Sequence, residues 1–417
     1  MDRGNRRVVI TGLGTVNPIG LNVPQFWDNL IAGKSGARVA KNIDLSDYEV
    51  KIAAEVDLPD VSHLFKNKRL VKRIDRFAIF AHVAACEALE NSGIEITEEN
   101  CTRIGALIGT GDAGLSMQEE HIQRMLEKGM NRVSSYYVSS HIPNTAPALF
   151  AVERNLQGPN FSCNSACATS NHAIGTAGDL VRTGAADVMF AGGAEAVITR
   201  MSIAGFGNIG ALSMRNDDPT TASRPFDKQR DGFVMGEGSG VVCLEELEHA
   251  KARGAKIYAE LTGAGFTCDA FDLVAPHPDG IGARRAMEHA IRSAGLQPAQ
   301  VGLVNAHGTS TRQGDLAENH AIHAVFGEHA KDLLVHSTKS MTGHLIGAAG
   351  GVEIIASILA FERNIVHATI NQFERDEEIT LNVVANEPVE TRVDHILSNS
   401  FGFGGQNATV VISRFGG

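Results

Sequence analysis

The sequence predicts an α/β protein built from two duplicated βα halves, with helices covering both faces of mixed sheets. Three observations carry this. Short apolar, strand-like runs alternate with helical-period runs along the whole chain. The order of those runs restarts after Gly254 and repeats with similar spacing. No stretch reads as a flexible linker or a low-complexity segment, so the halves, residues 1–253 and 254–417, are expected to pack as one body.

The elements follow in order. Arg7–Gly20 reads as a strand and a glycine turn, and Pro24–Gly33 as a short helix. Leu64–Arg73 is a basic run, leading into an amphipathic helix with Phe77, Phe80, Val83, Ala84 and Leu89 on one face and a stop at Ser92-Gly93. Ile104–Gly109 is a buried strand. Ser116–Lys128 and Pro143–Asn155 are helices, the region around Asp112–Asn144 being an insertion that lengthens the first half. Next comes Asn160–Gly175, extended at first and helical at its end. Asp187–Ala191 is a strand with a glycine turn, Gly240–Leu244 a strand and Glu246–Arg253 a helix. In the second half, Lys256–Gly265 echoes the first strand, Gly282–Ser293 the first long helix, and Val301–Thr309 the strand at Ile104. Val335–Ala360 echoes the stretch around Cys167, and His395–Gly405 echoes Asp187–Ala191 with its turn.

A chain of 417 residues with 43% hydrophobic and 20% charged residues has ample material for a core. Its net charge of −11 argues against general nucleic-acid binding. The six cysteines form no CxxC pair and suggest neither a disulfide framework nor a zinc site. With no signal peptide and no long apolar run, a reducing cytoplasmic location and no membrane span are expected.

Cys167 stands where extended chain turns into helix, flanked by Ala166 and Ala168. Small neighbours leave room for a reactive side chain on a sharp turn, the logic of a nucleophile elbow with sulfur in place of oxygen. Helix N–H groups would favour its thiolate. A small buried hydrophobe is the competing reading. His307 and His344 each follow a strand at a glycine-rich turn in the second half. If the halves meet about a pseudo-twofold axis, His344 approaches Cys167, and a cysteine with two histidines suits acyl transfer without a metal. Asn399–Asn407 is a third glycine run, in which a phenylalanine can present a backbone N–H to an oxyanion while its ring moves.

The chain resembles the elongating β-ketoacyl-acyl-carrier-protein synthases, of thiolase-like fold. The likeness rests on VVITGLG (8–14), SACATS (165–170), VMFAGGAE (188–195), SRPFDKQRDGFVMGEG (223–238), EHAKARGAKIYAEL (248–261), NAHGTST (305–311), TKSMTGHLIGAAGGVE (338–353) and NSFGFGG (399–405). It implies an α-β-α-β-α layering and a decarboxylating Claisen condensation of malonyl-carrier with an acyl primer on Cys167. His307 and His344 would stabilise the enolate, Lys339 would order the site, and Phe403 would gate the pocket and share an oxyanion hole with Cys167. Thr309 and Thr311 would hold the phosphopantetheine arm; Phe401, Asp112, Phe206 and Val274 would contact substrate. Lys68, Arg69, Lys72 and Arg73 would dock an acidic acyl carrier protein. The resemblance implies no cofactor and no required metal, with a structural monovalent cation near Asn305, Glu353 and Asn399 as an option, and it implies a homodimer. Arg312 and Gly210 depart from common versions, and Asp112 stands where an apolar pocket residue is usual. Features of type II members outweigh those of type I. A polyketide ketosynthase and a non-catalytic chain-length subunit are the alternatives. A thiolase would want a cysteine in the turn at Gly402–Gly405, which has none.

Overall fold

The computed structural model describes residues 6–416. Its main sheet has eleven strands. In the first half these are β1 (Val8–Val16), β2 (Ile104–Gly109), β3 (Asn160–Phe161), β4 (Val188–Glu195) and β5 (Gly238–Glu246). In the second they are β6 (Ala259–Cys268), β7 (Leu303–Asn305), β8 (Leu334–His336), β9 (Asn382–Val383), β10 (His395–Gly402) and β11 (Gln406–Ser413). Their spatial order is β9-β8-β7-β10-β11-β6-β1-β5-β4-β2-β3. Read outward from the centre, β1-β5-β4-β2-β3 and β6-β11-β10-β7-β8 are the same topology twice, with matched parallel and antiparallel neighbours. Within the main sheet, the strands of the two halves meet where Val9 pairs with Glu260 and Ile10 with Ala259.

Helices α1 (Arg76–Ser92), α2 (Thr169–Arg182), α3 (Ile281–Ser293) and α4 (Ala349–Arg363) complete the layers. The outer helices α1 and α3 each pack on strands of their own half. The central pair, α2 and α4, touch each other and strands of both halves. This is the α-β-α-β-α layering. Burial follows: Ala349 to Phe361 is a continuous run of buried side chains, as expected of a helix covered on all sides. One core cluster draws Ile10, Ile174, Val242, Ile354, Ile396 and Ile412 from both halves.

The first strand and its echo correct an expectation. Gly12 and Gly14 lie inside β1, not in a turn. A Cβ on Gly14 would come within 2.0 Å of the Ala84 carbonyl of α1. Gly265 of β6 repeats this against Ala286 of α3, at 2.2 Å. These glycines let a helix backbone lie on the strand. Gly192 and Gly193 likewise belong to β4, which runs on to Glu195. The strand β11 and the helix Arg312–Phe326 lie outside the elements read from sequence. No helix among the described residues is long and apolar enough to cross a membrane.

Candidate active site

Cys167 occupies a short 3₁₀ turn, Ala166–Ala168, at the head of α2. The turn is held by Ser165 N–H donating to Thr169 Oγ1 (2.8 Å) and Ala168 N–H to Ser165 O (3.0 Å). It carries strain: Ala166 has φ +49°, a left-handed value that a side chain disfavours. Gly402, at the end of β10, abuts it, and a Cβ there would reach 2.7 Å from Ser165 O and 3.1 Å from Cys167 N. That close approach brings the Phe403 N–H to the thiol. The side chain does not stand proud of the surface; only 6% of Cys167 is accessible. Burial pushes its thiol up to about 12, against the pull of Lys339 and of the Phe403 N–H. The helix-start argument for a resting thiolate therefore loses to desolvation.

His307 follows β7. Its N–H and that of Gly308 donate to the two oxygens of buried Glu318, at 2.9 and 2.8 Å. His344 follows the one-turn helix Lys339–Thr342. Its backbone is clasped by the loop of the SRPFDKQRDGFVMGEG stretch: His344 N–H donates to Val234 O (2.8 Å) and Gly236 N–H to His344 O (2.9 Å). The same loop reaches the His307 side through Gly232 N–H to Ser310 O (3.0 Å). Its loop chemistry thus serves to hold both histidine segments.

The Cys167 sulfur and ring nitrogens of His307 and His344 lie within 4.8 Å of one another. The histidine rings meet edge to face at 5.4 Å. His307 Nδ1 and both ring nitrogens of His344 are buried without a protein partner. Burial, and then the Lys339 charge, hold both imidazoles well below the usual histidine range, so both are neutral near pH 7. Neutral rings with free N–H capacity, facing a thiol, form a site waiting for an anionic oxygen. Three such donors could also ligate a zinc ion. The buried Lys339 ammonium beside them, paired with Glu353, opposes added positive charge there.

Cys167, His307, His344, Phe403, Phe401, Phe206, Val274, Thr309 and Thr311 line one cavity. Thr309 and Thr311 hydrogen-bond each other at 2.9 Å in its wall. Phe403 lies 5.8 Å from Phe206, ring to ring. Lys339 stands behind this wall rather than in it. Asp112 is not brought to the cavity; it lies in the loop after β2, where its N–H donates to Glu195 (3.2 Å). Lys68, Arg69, Lys72 and Arg73 are exposed, with the Arg73 guanidinium 4.6 Å from the Tyr136 ring. They do not line the adjoining groove, which shares Thr311, Val274 and Phe403 with the cavity and holds Arg312 with Asp231 and Asp272. In the expected cation pocket, Asn305 Oδ1 and Glu353 Oε2 are buried and unpartnered, hard oxygens that suit a monovalent ion. Asn399 is engaged instead, accepting from Thr409 (2.8 Å) and donating to Glu318 (3.1 Å).

Sequence reasoning missed Glu318 and Glu195. Glu318 sits in the unread helix Arg312–Phe326 among apolar neighbours, and an acidic residue on such a face was the available signal. Glu195 ends the VMFAGGAE strand, where it reads as a turn residue.

Comparison with known proteins places this geometry. Residues 5–250 match the beta-ketoacyl synthase N-terminal domain and residues 258–373 its C-terminal domain. The 3-oxoacyl-[acyl-carrier-protein] synthase 2 of Synechocystis sp. is 46% identical over 410 residues, 98% of each chain. That of Coxiella burnetii is 45% identical over 409 residues, 98% of this chain and 99% of the other. Among solved structures, a beta-ketoacyl synthase from Burkholderia phymatum has a TM-score of 0.90 at 32% identity, covering 99% of this chain and 100% of that one. A complex of a type II polyketide synthase acyl-carrier protein with its ketosynthase reaches 0.92 at 33% identity, covering 98% and 100%. With both family domains matched in order along a thiolase-like fold, the chain belongs to the β-ketoacyl synthase family.

Proposed function

We propose that this chain is a 3-oxoacyl-[acyl-carrier-protein] synthase of type II, elongating fatty acids by two carbons in the cytoplasm as a homodimer. The convergence of Cys167, His307 and His344 within 4.8 Å carries the reading. Residues 1–253 supply the nucleophile and residues 254–417 the histidines.

Acyl transfer comes first. The Cys167 sulfur attacks the primer thioester, whose oxygen is met by the Cys167 and Phe403 N–H groups. The carrier thiol leaves with the proton of Cys167, and the acyl chain is held as a thioester. Malonyl-carrier then enters, its arm along Thr309 and Thr311. Loss of CO₂ leaves an enolate whose oxygen is stabilised by imidazole N–H donors of His307 and His344. The carbanion attacks the Cys167 thioester, a C–C bond forms, and the Cys167 thiolate is expelled and takes up a proton. The product is a 3-oxoacyl-carrier.

Mass spectrometry of products from malonyl-carrier and a ladder of acyl primers tests this. One unreduced two-carbon extension per primer is expected. Repeated unreduced extensions would instead favour a polyketide-type ketosynthase, a second reading supported by the ketosynthase complex at TM-score 0.92. No condensation with any primer would overturn both and leave a chain-length subunit, which the intact Cys167 argues against.

Carrier docking at Lys68, Arg69, Lys72 and Arg73 has its own test. Lys72→Glu with Arg73→Glu should raise the carrier KM about tenfold at low ionic strength, with the effect shrinking as salt screens the surface. A KM unchanged at every salt concentration removes the basic run from docking.

A further inference from the structure

The two halves carry two elbows. Ile346 has φ +44°, matching +49° at Ala166, and opens a 3₁₀ turn, Ile346–Ala348, at the head of α4 as Ala166 does at the head of α2. Gly347 thereby holds the place of Cys167. The second elbow has no nucleophile, but its N–H is occupied. Gly347 N–H donates to Glu195 Oε2 at 2.9 Å. Glu195 is fully buried and accepts three more bonds, from Gly111 N–H (2.7 Å), Thr110 Oγ1 (2.9 Å) and Asp112 N–H (3.2 Å). Ser170 of α2 donates to the Gly347 carbonyl, tying the elbows together. There is no slack: a Cβ on Gly347 would lie 2.3 Å from Gly111 N and 2.8 Å from Glu195 Oε2.

We infer that Glu195 is a positioning residue for condensation: its carboxylate fills the second elbow's N–H site, the counterpart of the thioester-oxygen site at Cys167, and so fixes the His344 segment. His344 lies three residues before Gly347. The Val234–Gly236 loop holds it from one side, and the Glu195–Gly347 bond anchors the chain on the other. Glu195 also bears on the thiol, since its charge disfavours the Cys167 thiolate, while Lys339 favours it. His307 and His344 are neutral, Glu353 pairs with Lys339, and Glu318 receives the His307 and Gly308 N–H groups. Burial pushes Glu195 up to about 8 while its four donors pull it down. All four groups that face its oxygens are donors, which favours the carboxylate form.

The inference rests on the proposed condensation, and Glu195→Gln separates the two. The amide keeps the shape, removes the charge and sets an NH₂ group against N–H donors. Condensation kcat should fall about 10- to 100-fold, with primer KM little changed. Iodoacetamide alkylation of Cys167 at pH 8.5 should become about three- to tenfold faster, as a shift of half to one pKa unit requires. This second readout needs no substrate, so it stands even if the wild-type chain condenses nothing. Cys243, fully buried, reports global opening by becoming labelled. Unchanged alkylation with a kcat loss no larger than the loss of folded protein would make Glu195 a structural residue only and overturn the inference. If Glu195→Gln does not fold, Thr110→Val removes one donor to the carboxylate. A severalfold loss of kcat in that variant supports the inference, and an unaltered kcat overturns it.

Discussion

Cys167→Ala should abolish the acyl-enzyme and reduce condensation by on the order of 10⁴-fold or more, the scale for removing a covalent nucleophile. The variant should still fold, because losing one buried sulfur costs about 1 kcal/mol or somewhat more. Decarboxylation of malonyl-carrier should persist, since His307 and His344 are untouched. The variant would then turn malonyl-carrier into acetyl-carrier without joining it to a primer. Intact-mass measurement checks the missing acyl adduct, and CO₂ release checks the decarboxylation. An adduct that survives on Cys86, Cys101 or Cys268 would move the nucleophile elsewhere. Alkylation of the wild-type chain should label Cys167 with loss of condensation, slowly, because burial pushes the thiol up to about 12.

His344→Ala should have the complementary profile. It removes an imidazole whose two ring nitrogens have no protein partner and one of which lies within 4.8 Å of the thiol. Loss of one preorganised oxyanion donor costs about 10²- to 10³-fold, or about 2.7–4 kcal/mol. Decarboxylation should fall by that factor, while acylation of Cys167 stays within about tenfold, because its oxygen is met by backbone N–H groups. The pH profile carries a sign. Both histidines titrate well below 6.5, so decarboxylation needing neutral rings should hold level as pH falls through 6.5 and decline only below it. A rate that halves at pH 6.5 would mean an exposed, ordinary histidine. Decarboxylation retained in His344→Ala would remove it from the role.

Much of this was legible in the residues because strand-helix alternation and its restart at Gly254 are periodic signals. Motifs at strand ends also mark where side chains converge. What stayed hidden was depth and contact. A glycine that admits a helix, as at Gly14 and Gly265, has the same one-letter appearance as a glycine that turns the chain. Cys167 was rightly placed at a helix start, but it packs among apolar side chains of its own half, such as Val197, Phe233 and Met235, with Ile346 and Gly402 of the other half closing over it, and that burial reverses the expected ionisation. Glu195 receives the N–H groups of Gly111 and Gly347, 84 and 152 residues away, which leaves no local pattern, whereas Glu318 receives those of His307 and Gly308 from a helix that was not read. Asp112 was assigned by position along the chain, whereas the loop after β2 turns its N–H to Glu195.

The central helix pair also decides how molecules get in. α2 and α4 are riveted between the halves, and the strands that join the halves share only two residue pairs. Swinging the halves apart would wet the thirteen consecutive buried residues of α4, at on the order of 20 kcal/mol. A hinge of that stiffness does not open on a catalytic timescale. Under the proposed function, substrate would reach the thiol along the cavity wall that holds Phe403, Thr309 and Thr311. Turnover is therefore expected to proceed without separation of the halves, any opening being confined to the loops that line the cavity.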